Sequence, residues 1–154
     1  MRSKIYSFTL LLLIAAAGQV RAQNSLISGL MQTSLSKIKM SSQAGRVIER
    51  TFTDIFFKDD STGNNCLFFH KFSSNNTYRI NAFASSGDVS NINVGVYLRD
   101  SNNKWTKVVA STTTGYDVSI QFSPQSSGFY FLFLKGTLRT NINSALFDVI
   151  IERE

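Results

Sequence analysis

Between Gly128 and Lys135 the chain reads FYFLFL, six bulky apolar residues in a row. In an extended strand alternate side chains point to opposite faces. Phe129, Phe131 and Phe133 therefore share one face, and Tyr130, Leu132 and Leu134 the other. Other runs alternate more plainly. Val94, Val96 and Leu98 oppose Gly95, Tyr97 and Arg99, and Val118, Ile120 and Phe122 oppose Ser119 and Gln121. Phe147, Val149 and Ile151 oppose Asp148, Ile150 and Glu152. One apolar and one mixed face is what a sheet wet on one side requires. FYFLFL alone offers bulky apolar residues to both.

Seven or eight short runs of this kind follow Arg46, separated by turns rich in Ser, Asn and Gly. The single proline, Pro124, falls in one of those turns, where its missing N–H does no harm. The pattern predicts an all-β domain over 46–154, an antiparallel β-sandwich or jelly roll. Ahead of it, Leu26, Ile27, Leu30, Met31, Leu35 and Ile38 recur at steps of three and four, the spacing of one amphipathic helix. Asn24 or Ser25 could cap its start and Gly45 lies past its end, so a helical segment is expected within 23–45.

The first 22 residues read differently again. Arg2 and Lys4 precede an apolar run from Ile5 to Ala17, and Val20 and Ala22 flank Arg21. That is the layout of a secretory signal cut near Ala22, and its apolar run is too short to span a bilayer comfortably. The expected mature chain has 132 residues and 13 Lys+Arg against 10 Asp+Glu, a net +3 where the full chain has +6. It is expected to be secreted or periplasmic, without a membrane anchor. Its basic residues are scattered and no nucleic-acid motif accompanies them, so nucleic acid is not an expected partner.

Little chemistry is on offer. Cys66 is the only cysteine, so no intrachain disulfide can form; an isolated cysteine of this kind reads as a small apolar residue. His70 is the only histidine and lies mid-strand, on the parity of Phe68 and Phe72. A hydrolytic triad needs its histidine beside a nucleophile and an orienting acid, and a structural histidine is the better reading. One Cys and one His do not make a zinc site. The chain is not expected to be an enzyme, and no cofactor is expected. The stretch DDSTGNN gathers Asp59, Asp60, Asn64 and Asn65 around Gly63, oxygens that a calcium ion could use, although the same residues dominate plain turns.

From Cys66 onward the order of elements resembles the bacterial pre-peptidase C-terminal domain. The matching segments are FFHKFSSNNTYRI, VGVYLRDSNNK, VVASTTTGYDVSIQFSPQSSGFYFLFLKG and FDVII, with Tyr78, Asp100-Ser101-Asn102 and Ser127-Gly128-Phe129-Tyr130 at the pattern's turns and strand starts. The resemblance implies a β-sandwich of a kind often appended to secreted proteases and other exported enzymes, here as a stand-alone module from a bacterium. It also implies an inward Tyr130/Leu132/Leu134 face and, because some members bind calcium near the domain's start, adds to the calcium reading. His70 departs from the pattern, which wants an apolar residue there.

An outward Phe129/Phe131/Phe133 face would expose several hundred Å², at roughly 150 Å² or more per ring, and monomers seldom leave such a patch uncovered. Two covers are open, the amphipathic helix and a partner, with the helix favoured. The expected function is a non-enzymatic binding or accessory module engaging a protein or peptide through Phe129, Phe131, Phe133, Tyr97 and Trp105. A glycan-binding module, with Trp105 as the sugar platform, and an inhibitor or immunity-type protein against a secreted enzyme are the alternatives.

Overall fold

The computed structural model describes residues 27–58 and 64–154. The expected signal segment and capping residues Asn24 and Ser25 lie outside them. One helix, α1, covers residues 27–43. Eight strands follow: β1 Val47–Phe57, β2 Asn64–Phe72, β3 Tyr78–Ala84, β4 Val89–Arg99, β5 Trp105–Ala110, β6 Asp117–Phe122, β7 Gly128–Leu138 and β8 Ser144–Arg153.

The strands pair as one long hairpin rolled on itself. β1 pairs with β8, β2 with β7, β3 with β6 and β4 with β5, all antiparallel. Two further pairings, β3 with β8 and β4 with β7, knit these into sheets of order β1-β8-β3-β6 and β2-β7-β4-β5. That is the eight-stranded jelly roll, which the expected all-β sandwich allowed.

The facing sides of the two sheets form the core. Val94, Val96, Val118, Ile120, Phe122, Phe147, Val149 and Ile151 are all buried in it, each on the side its alternation indicated. Tyr130, Leu132 and Leu134 of β7 are there too. One end of the core is aromatic, with the Phe72 ring meeting Tyr78, Phe122 and Tyr130 edge-on at centroid distances of 4.7, 5.1 and 5.8 Å. Both tyrosine hydroxyls tie down turns: Tyr130 donates to the Ser126 carbonyl at 2.7 Å, and Tyr78 accepts the Ser73 N–H at 3.0 Å.

The helix ends as predicted and sits where it was not expected. Gly45 takes a φ of +73°, the Arg46 N–H reaches the Ser41 carbonyl, and the Gly45 N–H reaches the Ser42 carbonyl, both at 3.0 Å. That is a Schellman stop, which favours glycine at the left-handed position. α1 then lies across the outside of the β1-β8-β3-β6 sheet, the sheet opposite to FYFLFL. The expectation that it covers Phe129, Phe131 and Phe133 is corrected here.

The cause is polar. Asp148 and Glu152 of β8 and Asn81 of β3 point outward from that sheet, and an acid is buried cheaply only beneath donors. The helix supplies them. Ser34 hydrogen-bonds Asp148, Ser41 donates to Glu152 at 2.5 Å, and Lys37 pairs with Asp117 at 2.9 Å. Asn81 completes the set by donating to Glu152 at 2.7 Å. The side of α1 turned to the sheet is thus Leu30, Ser34, Lys37, Ile38 and Ser41, while Met31 and Leu35 of the expected apolar stripe stay 60% and 61% exposed. The half-solvated reading of β8 fails for the same reason, since Asp148, Ile150 and Glu152 are buried under the helix.

Candidate functional site

The outer face of the β2-β7-β4-β5 sheet has no such cover among the described residues. β7 places Phe129, Phe131 and Phe133 along its middle, with Phe129 more than half exposed and the other two half-buried. On one side β2 sets Leu67 opposite Phe133 and Phe69 opposite Phe131. Leu67 and Phe69 are also more than half exposed. On the other side β4 sets Gly95 opposite Phe133 and Tyr97 opposite Phe131. The five residues named from the sequence therefore share one surface, and Leu67 and Phe69 join them. Their parity in CLFFHKF was readable, but which partner strand would lie beside it was not.

Local chemistry positions each ring. At the β4–β5 turn, Asp100 accepts the backbone N–H of Asn102 at 2.9 Å and of Lys104 at 2.8 Å, and Asn103 takes a φ of +63°. Asn tolerates that left-handed geometry, and an Asp that accepts backbone N–H groups two and four residues on holds the turn. The turn returns the chain so that Trp105 pairs with Arg99. The Trp105 ring then leans over the sheet to meet Phe131 edge-on at 4.8 Å, with the Arg99 guanidinium 5.3 Å from its centroid. Phe69 meets Phe129 at 5.7 Å and Phe131 at 6.5 Å, and Tyr97 meets Phe133 at 6.2 Å, all edge-on. Such edge-to-face contacts are favourable for rings.

Gly95 shapes the middle of this surface. A Cβ there would meet the Tyr97 ring at 2.6 Å, so the missing side chain is what lets Tyr97 lie down over β4. The result is a groove of about 320 Å³ lined by Leu67, Tyr97, Trp105 and Phe133. Its polar groups are the Tyr97 hydroxyl and the Trp105 indole N–H. Such a lining binds by apolar contact and ring stacking, and it holds no acid–base pair.

The other sequence candidates lie elsewhere. His70 stacks edge-on on Phe72 at 4.6 Å, and its Nε2 lies 3.1 Å from a Glu49 carboxylate oxygen. Glu49 is in turn held by Arg153 at 3.0 Å. These contacts join β2 to β1 and β8 at the sandwich edge. Cys66 is half-buried against the core, and burial, then the charge of Asp54 and a hydrogen bond to it, pushes the thiol up to about 11. Such a thiol is a poor nucleophile at neutral pH. Of the calcium candidates, Asp59 and Asp60 lie outside the described residues, and Asn64 and Asn65 open β2. Among the described residues no three His, Cys, Asp or Glu side chains cluster as metal ligands, and no helix is long and apolar enough to cross a membrane.

No family model matches the chain, and no curated protein matches it in sequence. Solved structures are similar to it at low identity. The pre-peptidase C-terminal domain of collagenase from Bacillus anthracis is 10% identical with a TM-score of 0.48, over 66% of this chain and 87% of that one. PliG of Aeromonas hydrophila, a periplasmic lysozyme inhibitor of g-type lysozyme, is 10% identical with a TM-score of 0.48, over 68% and 85%. The Yersinia pseudotuberculosis-derived mitogen is 7% identical with a TM-score of 0.49, over 66% and 82%. A pre-peptidase C-terminal domain, the family that the sequence resembles, is thus among the solved structures to which the chain is similar.

Proposed function

We propose that this chain is a non-enzymatic, exported binding module that engages a protein or peptide through the outer face of the β2-β7-β4-β5 sheet. One observation carries the reading. Aromatic and aliphatic side chains from four adjacent strands meet on a face that α1 does not cover, and contiguous patches of that kind mark interaction sites. The three phenylalanines at its centre carry no hydrogen-bonding group, which suits apolar side chains of a polypeptide better than the hydroxyls of a sugar. The glycan alternative keeps one specific support, the Tyr97 hydroxyl and Trp105 indole beside one groove. An inhibitor acting on a secreted enzyme would use the same face.

A photo-cross-linking phenylalanine analogue placed at position 131, and in a control at the exposed Ser119 of the opposite sheet, tests the proposal in cells exporting the protein. A discrete polypeptide adduct from position 131 alone is expected. Adducts from both positions, or from neither, would overturn it. Trp105→Ala is expected to weaken the captured complex by roughly 2 kcal/mol, as loss of an aromatic anchor does.

A further inference from the structure

The same face has a charge pattern that narrows its partner. Four basic side chains border the aromatic residues, all exposed: Lys71 pairs across from Phe129, Lys107 from Tyr97, and Lys135 from Asn93, while Arg99 lies over Trp105. None of the four is in an ion pair among the described residues, and no strand position on this outer face is Asp or Glu. Five of the described carboxylates are engaged elsewhere. Asp148 and Glu152 lie under α1, Asp117 holds Lys37, Glu49 holds His70 and Arg153, and Asp100 holds its own turn.

Resting on the reading of this face as the binding surface, we infer that its partner is an acidic polypeptide segment: bulky apolar residues flanked by Asp or Glu. The apolar residues would fill the groove between Leu67, Tyr97, Trp105 and Phe133, and the carboxylates would meet Lys71, Arg99, Lys107 and Lys135 around it. The charge argument is one of complementarity. A basic segment would set its own cations against these four, and like charges set together at an interface oppose binding. Acidic flanks convert the same four groups into attraction that also speeds encounter. Arg99 is suited to this, since a guanidinium stacked on an indole still presents its N–H edge to a carboxylate.

Trp105 is the single tryptophan of the chain, so its fluorescence reports on this site alone. Two synthetic peptides sharing one Phe/Leu core, one flanked by Glu and one by Lys, are titrated into the mature protein, alongside phosphatidylglycerol vesicles and polygalacturonate. The Glu-flanked peptide is expected to shift Trp105 emission and to bind at least about tenfold more tightly than the Lys-flanked one. That margin should shrink as salt is raised. Joint substitution Lys71→Glu and Lys107→Glu, which leaves the Arg99 stack on the indole in place, is expected to reverse the order of the two peptides at unchanged melting temperature. Should the pair unfold the chain, Lys135→Glu alone must still narrow the margin. Equal affinity for both peptides would overturn the acidic preference while leaving the face a polypeptide site. A response only to vesicles or polygalacturonate would overturn the polypeptide class. Silence to every probe, with cross-links still forming at position 131, would overturn this inference and not the earlier reading.

Discussion

Two glycines, one on each face of the β2-β7-β4-β5 sheet, do unlike work. At Gly136 an added methyl would meet the Phe56 ring at 2.4 Å, and that ring is stacked on Phe147 at 4.0 Å inside the core. Neither ring has room to retreat, so Gly136→Ala is expected to destabilise by roughly 1 to 3 kcal/mol, read as a lower urea midpoint. At Gly95 the obstacle is the Tyr97 ring, which borders solvent and can swing away. Gly95→Ala should cost less than about 1 kcal/mol, yet lift Tyr97 out of the groove and change Trp105 emission. Cys66 gives a third residue-scale expectation. Its thiol is shifted from an ordinary 9.0 to about 11, first by burial and then by Asp54, so the folded state holds this proton more tightly than the unfolded one. The associated stability is present below pH 9 and is lost as pH rises towards 11. Cys66→Ser should flatten that part of a stability profile, and iodoacetamide at pH 8 should modify the folded thiol more slowly than the unfolded one.

At the scale of elements, α1 and β8 depend on each other. Removing residues 27–43 would open Phe83, Ile150, Asp148 and Glu152 to water, all buried now. The expected loss is roughly 2 to 4 kcal/mol, seen as a drop in melting temperature with the β spectrum retained. Glu152→Ala leaves the Ser41 hydroxyl, the Asn81 amide and Arg46 without their shared acceptor and should cost about 3 kcal/mol. This pair also marks where the sequence stopped being legible. Strand parity is local, so alternation put Leu132 and Phe131 on opposite faces, and the family resemblance supplied which of the two faces inward. Helix period is local too, and the helix was readable with its glycine stop. Which sheet a helix settles on is a long-range choice. It was decided by outward acids on β8 that need donors, and a stripe of Met31 and Leu35 does not announce that. The aromatic face was half legible for a like reason: β7, Tyr97 and Trp105 stood out one by one, whereas Leu67 and Phe69 became part of it only through the β2–β7 register.

Over the whole molecule, the pairing of first strand with last sets an order of events. Val47 lies across from Arg153 and Phe57 from Ser144, so β1 has no sheet neighbour until β8, the last of the eight strands, has been made. Assembly from the N-terminus, element by element, is closed to such a topology. Folding waits for contacts distant in sequence, and chains of that kind reach the native state in milliseconds to seconds where helical bundles take microseconds. A chain ending before Ser144 should therefore fail to fold, with no cooperative unfolding transition, although it keeps most of its core residues. Under the export proposed above, in which the chain would leave the cell as an extended thread, the delay has a use. A polypeptide that cannot close before β8 arrives stays threadable until then, and it becomes a folded body only on the far side.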